Sequence, residues 1–311
     1  MFLVPSVLGR LIVLKRLLKR LRNKSLAKLE IKKNIIWLAS YPKSGNTWFR
    51  SFITALKNRG EVNINDLKTE GIFSSKISLE DNLDVDADDV RSTQIDIFKR
   101  LALTYQSSIS EEKNFFKIHD LYSLSEFDNK PIVPIESTFA AIYFVRNPLD
   151  VSISMANHNG QSIDQVIEKV MGNPLASISK NSKFLQHQFP QWIGTWNNHV
   201  VSWKQVDSFP VYFVRYEDMK QSPKETFTDI LHNIGYEASE LEINRALEAA
   251  KFENLKQQEQ EFGFRERPGS SKSFFNKGEM GQWKEQLTKS QIDKIKQINE
   301  PMMREFGYWE D

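Results

Sequence analysis

One short stretch limits what this chain can fold into more than any other. From Ile35 to Phe49 it reads Ile-Ile-Trp-Leu-Ala-Ser-Tyr-Pro-Lys-Ser-Gly-Asn-Thr-Trp-Phe. The uninterrupted apolar run Ile35 to Ala39 suits a strand buried on both faces, as in a parallel sheet. Trp48, Phe49, Phe52, Ile53 and Leu56 then recur at helical spacing. Between the two the chain must turn sharply, and Pro42 and Gly45 permit it. The first N–H groups of the helix lack intrahelical partners and point into the loop, at the positive end of the helix dipole. Lys43, Ser44, Asn46 and Thr47 add a cation and polar side chains there, so the segment reads as an anion cradle.

The cradle is not a Walker A loop. Lys43 precedes its glycine instead of following one. Nucleoside triphosphatases usually end a nearby strand with an aspartate that holds magnesium. The corresponding apolar run here, Ala140 to Val145, ends in Arg146. A guanidinium at that place suits phosphate, not a metal. The expected ligand is a nucleotide held without magnesium.

These residues carry a family resemblance. Tyr41-Pro42-Lys43-Ser44-Gly45-Asn46-Thr47-Trp48 resembles the 5′-phosphosulfate loop of sulfotransferases that use 3′-phosphoadenosine 5′-phosphosulfate (PAPS). Arg146 to Ser154 is similar to that family's 3′-phosphate site, where the arginine and the serine eight residues on hold the phosphate. Phe274 to Lys284 is similar to its carboxyl-terminal Arg-Lys-Gly-x-x-Gly-x-Trp-Lys loop, with Asn276 in the arginine's place before Lys277 and Gly278. The resemblance therefore implies one cation fewer at the 3′-phosphate. Arg265, Arg267 or Lys272 stand nearby in the sequence as substitutes.

The resemblance also implies roles. In Asn114 to Asp120, strand alternation puts Lys117 and His119 on one face. Histidine titrates nearest neutrality and can accept a hydroxyl proton, and the family's Lys-x-His pattern makes His119 the general base. His158, His187, His199 and His232 fall in or beside helical patterns and fit less well. Lys43 would neutralise charge on the leaving phosphate oxygen and Lys117 would steady the sulfuryl oxygens. Trp48 and Phe252 match the family's adenine-stacking residues, and Tyr216 its ring-nitrogen neighbour. Trp192, Trp196, His199 and Trp203 are expected on one helix face, mainly as core.

Apolar strands at Ile35 to Ala39, Phe115 to Ile118, Ala140 to Val145 and Val211 to Val214 alternate with helical stretches. That alternation predicts an α/β fold with a doubly wound, mainly parallel sheet flanked by helices. Its ligand belongs at the carboxyl ends of the strands, where Lys43, His119 and Arg146 fall. A single domain over 34–311 is expected. Glu61 to Arg91 reads as an irregular insertion able to form an acceptor lid. Cysteine is absent, which excludes disulfides and thiolate metal sites.

The first 33 residues differ. They carry ten Lys/Arg against one Glu, so with a net charge of +2 for the chain the remainder is acidic. Leu8, Leu11, Leu14, Leu18 and Leu21 recur at helical spacing among basic residues. The expectation is a basic amphipathic extension, either solvated or lying on an anionic membrane, in a cytoplasmic protein. Its apolar part is too short to span a bilayer.

The expected activity is transfer of a sulfuryl group from PAPS to a hydroxyl or amine of a small-molecule, lipid or carbohydrate acceptor. PAP is the product, and neither metal nor nucleic acid takes part. The alternatives are a metal-dependent kinase or nucleotidase and a non-catalytic nucleotide-binding membrane adaptor. Lys284, Thr288, Lys289 and Asp293 only partly echo the family's dimer segment, which leaves the oligomeric state open.

Overall fold

A computed structural model describes residues 30–178 and 187–309. Nearly all of the basic amino-terminal stretch lies outside the described residues. Strand β1, Ile35–Ser40, is buried along its whole length. It pairs in parallel with β2, Asn114–Ile118, on one side and with β3, Thr138–Val145, on the other. Outside β3 runs β4, Val211–Arg215, also parallel, so the sheet order is β2-β1-β3-β4.

Period-two alternation divides β1 between two cores. Ile35, Trp37 and Ala39 join Leu149, Val151, Trp196 and Trp203 on one face. Ile36 and Leu38 join Phe49, Phe52 and Ile53 of helix α1, Asn46–Lys57, on the other. Burial of each large apolar side chain contributes about 1.5–3 kcal/mol, so a charge at Leu38 would break this layer. The run is continuously apolar because both faces need it to be.

After β1 the chain builds helices α2, Lys76–Leu83, and α3, Ile95–Ile109, before reaching β2. After β3 it enters α4, Pro148–Asn159, whose Leu149, Val151 and Ile153 join the core on the face opposite α1. The connections leaving β1 and β3 therefore diverge to the two faces and edges of the sheet. Such a switch point opens a crevice at the carboxyl ends of the strands. Helices α5, Trp196–Lys204, α6, Tyr216–Gln221, α7, Pro223–Asn233, α8, Glu240–Ala249, α9, Phe252–Phe262, and α10, Lys289–Glu305, complete the layers.

Two expectations need correction. The 61–91 stretch is irregular only in part: Ser75 caps α2 by accepting from the Ser78 amide, and a short 3-10 turn follows at Ala87–Asp89. Leu79 and Leu83 of α2 pack with Phe98 and Ala102 of α3. Just before α2, the Lys117 amide donates to Gly71 O at 2.9 Å and the Phe73 amide to Lys117 O at 2.8 Å, so this segment lines the outer edge of β2. A covered edge cannot recruit another strand.

Trp192 does not share the helix face of Trp196 and Trp203. It sits before the Thr195 cap of α5, in a short antiparallel pair of Ser177–Ile178 with Gln191–Trp192, and is 56% exposed. Thr288, in the partial dimer segment, has a local role: it caps α10 in a capping box with Gln291. Among the described residues no helix is long and apolar enough to cross a membrane.

Candidate active site

The β1–α1 turn has the backbone its sequence demands. Lys43 takes φ 71° and Gly45 takes φ 100°. A Cβ on Gly45 would stand 2.8 Å from Tyr216 Cδ2, so glycine serves both the left-handed conformation and the close approach of the ring. Asn46 donates from Nδ2 to Leu38 O at 2.7 Å and pins the helix start to β1. The first amides of α1 have no intrahelical partner. Beside them the Ser44 hydroxyl is buried without a hydrogen-bond partner.

Lys43 is half-buried in the wall of the site. Its Nζ donates to His158 Nδ1 at 3.4 Å and lies 3.9 Å from the centre of the Phe274 ring. Burial, reinforced by the nearby Lys117 and Arg146 cations, lowers its pKa to about 7. Arg146 ends β3. Its Nη1 donates to Lys43 O at 3.1 Å and its Nη2 to Glu279 O at 3.0 Å, while its Nε is buried without a partner. Asn147 then caps α4 by accepting from the Leu149 amide, with Pro148 at the first helical position.

His119 follows β2 and is 9% exposed. Its Nδ1 lies 2.8 Å from Ser40 O. A carbonyl can only accept, so Nδ1 carries the proton and Nε2 keeps its lone pair. Burial, with the adjacent Lys117 cation, holds its pKa well below 6.5, so the ring is neutral and basic at Nε2. His199, fully buried, donates from Nε2 to His119 O at 3.0 Å and accepts from Tyr143 Oη at 2.7 Å. It is core, as expected, and it fixes the backbone beneath the base.

Lys117 lies on the same face of β2 and donates to Glu266 Oε2 at 2.9 Å. Arg50 of α1 donates to Glu266 Oε1 at 2.7 Å. These two cations hold the Glu266 carboxyl far below the usual carboxylate range.

The carboxyl-terminal segment 263–283 closes over the site with little regular structure. Glu259 of α9 accepts the Phe274 and Phe275 amides at 2.7 and 2.9 Å. Asp150 of α4 accepts the Gly281 and Trp283 amides at 2.7 and 3.1 Å. Tyr216 donates to Gly278 O at 3.1 Å, and a Cβ on Gly278 would meet the Phe252 ring at 2.5 Å. The Tyr216 hydroxyl thus serves the loop itself.

All these elements enclose one cavity of about 1120 Å³. It is lined by Lys43, Ser44, Gly45, Asn46, Thr47 and Trp48 of the first loop, by Lys117 and His119, and by Arg146 and Ser154. Tyr216, Phe252, Asn276, Lys277 and Gly278 complete the set, so the residues matched to the family's donor-binding and catalytic positions reach the same space. Of the three cations offered in place of the missing arginine, Arg265 lines the cavity. Arg267 is engaged elsewhere, with Lys272 O at 3.2 Å and Glu259 at 3.8 Å.

A family model described as "Sulfotransferase domain" matches residues 33–307, which is most of the chain. The chain belongs to the sulfotransferase family. Cytosolic sulfotransferase 10 of Arabidopsis thaliana is 25% identical over 283 residues, covering 88% of this sulfotransferase and 79% of the relative. The amine sulfotransferase of Oryctolagus cuniculus is 26% identical, covering 89% and 83%. Among solved structures, mouse sulfotransferase SULT7A1 complexed with PAP superposes with a TM-score of 0.53 at 17% identity, covering 88% and 86%. Retinol dehydratase in complex with androsterone and PAP gives 0.55 at 18%, covering 89% and 82%. The fold of this sulfotransferase is thus the fold of its family.

Several site residues escaped the sequence reading. Arg50 reads as one polar position of an amphipathic helix, and Glu266 lies in a Gly/Pro-containing segment with no periodicity. Neither carries a signal of its own. His158, ranked low among the histidines, lines the cavity and touches Lys43. Its spacing offered a clue: it lies four residues beyond Ser154, on the same face of α4.

Proposed function

We propose that this sulfotransferase moves a sulfuryl group from PAPS to a hydroxyl or amine of a small-molecule acceptor by direct in-line transfer, without a metal. One catalytic unit over 34–311 carries the reaction. The supporting observation is the convergence of Lys43, His119 and Arg146 on one cavity whose walls hold unpartnered buried polar atoms on Ser44, Trp48 and Arg146. Buried polar atoms of this kind need partners, which phosphate oxygens and a nucleotide would supply. Gly45 and Gly278 stand where any side chain would collide with the cavity's aromatic walls.

When bound, PAPS supplies the sulfuryl group, which passes to the acceptor as PAP leaves. The protein's part is to position and to move a proton. His119 takes the acceptor's proton at Nε2 while Nδ1–H stays on Ser40 O. Lys43 and the first amides of α1 face the 5′-phosphate end and offset negative charge on the leaving oxygen. Arg146 and Ser154 are assigned to the 3′-phosphate, and Trp48 and Phe252 to the base. Lys117, its ammonium oriented by Glu266, supplies positive field next to His119. We place the protein in the cytoplasm, with residues 1–33 able to touch an anionic membrane surface.

Labelled PAPS incubated with a panel of phenols, alcohols, amines, sugars and lipids, with and without EDTA, tests this. Transfer of label to at least one acceptor, unaffected by EDTA, is expected. Turnover of ATP with magnesium and none of PAPS would overturn the assignment.

A further inference from the structure

Lys220 is one cation of the cavity wall to which the mechanism gives no role. It lies one turn beyond Tyr216 on α6, and no ion pair engages it among the described residues. Its Nζ stands 5.6 Å from the centre of the Trp48 ring and 5.8 Å from the centre of the Phe252 ring. Those near-equal distances set the ammonium over both rings and close to neither. Both lie near the ~6 Å limit of a cation–π contact, so the rings leave the ammonium's three donors unsatisfied.

We propose that Lys220 is a nucleotide-binding residue that donates a hydrogen bond to a ring nitrogen on the edge of a purine held between Trp48 and Phe252. The inference rests on the PAPS reading above and adds to it a base-recognising cation. A purine slotted between two rings hides its faces and presents its edge, whose unprotonated ring nitrogens accept. An ammonium on a flexible stem that reaches both rings is the complementary group for that edge, and a charge-assisted bond there is stronger than a neutral one. Arg146, by contrast, is stacked 4.3 Å over Tyr216 and bonded to Lys43 O, which ties it to the phosphate loop. The two cations therefore serve different ends of the nucleotide. With Asn276 in the place of a family arginine, a second cationic contact through the base would offset part of what is missing.

Titration calorimetry of the full chain with PAP and with 5′-AMP tests the assignment, because the two ligands share the base and differ in the 3′-phosphate. Lys220→Met is expected to weaken both by the same factor, about tenfold. Lys220→Arg should restore most of the loss, and the melting temperature should not move. Should Lys220→Met unfold the chain, Lys220→Gln repeats the comparison. Loss for PAP alone would assign Lys220 to the 3′-phosphate and overturn the proposal. Unchanged affinity for both would make it a solvated lysine and overturn it equally. A wild-type chain that binds neither ligand would instead remove the PAPS reading, and the proposal with it.

Discussion

Two segments frame the cavity, and they are held in opposite ways. The β1–α1 turn is held locally, by the left-handed backbone at Lys43 and Gly45, the start of α1, and the Asn46 bond to Leu38 eight residues back. The 263–283 segment has almost no local structure and is held from a distance. Asp150, more than 130 positions earlier in the chain, accepts two of its amides, and Glu259 accepts two more. A site can thus combine a self-folding cradle with a cover that depends on the rest of the fold.

Variants that strike one segment and spare the other sharpen the contrast. The largest effect belongs to the base, whose tautomer is fixed by Ser40 O at the end of β1. His119→Ala should lower kcat by about 10²–10⁴-fold and leave PAP affinity unchanged, as steady-state kinetics and calorimetry would show. Equal losses in kcat and affinity would mean that His119 only shapes the pocket.

Next comes the cover. Glu259→Ala leaves buried amides at 274 and 275 unpaired, each worth about 1–3 kcal/mol. PAP affinity should fall by about 10–100-fold, and limited proteolysis should cut the 263–283 segment faster. If binding survives with the segment cleaved, the cover is dispensable.

The cradle has its own signature in pH. Lys43 titrates at about 7 in the free protein because burial and its cationic neighbours disfavour charge. A bound anion raises that pKa, so its contribution to affinity is complete below pH 7 and falls away as pH rises above it. PAP dissociation constants should increase by up to about tenfold per pH unit above 7. Calorimetry at pH 8 in buffers of different ionisation enthalpy should detect proton uptake, absent in Lys43→Met.

The smallest effect is a gain. Asn276→Arg restores a cation to the cover and should tighten PAP binding by roughly tenfold or less, with no change in kcat. No gain would mean that another cation already serves the 3′-phosphate.

Much of this was legible because it is local. The four parallel strands fall within a residue or two of their apolar runs, since burial on both faces of the central strands leaves polar positions mainly at strand ends and on the outer strands. The motif residues line one cavity because strand ends converge at the switch point. The helix within 61–91 was not legible because α2 has a weak periodic pattern and gains its order by packing on α3. Trp192 was misplaced because a short strand and the Thr195 cap interrupt what looked like continuous helical spacing.

By itself the sequence determined the sheet, the cradle and the family of chemistry, because these follow from periodicity and allowed backbone angles over a few neighbouring residues. Only the tertiary structure decided which ring nitrogen of His119 is free, that Glu266 joins Arg50 to Lys117, that His158 meets Lys43, and which carboxylates hold the cover. Most of these are contacts between residues far apart in the chain. Their geometry depends on how every intervening element packs, which no local pattern encodes.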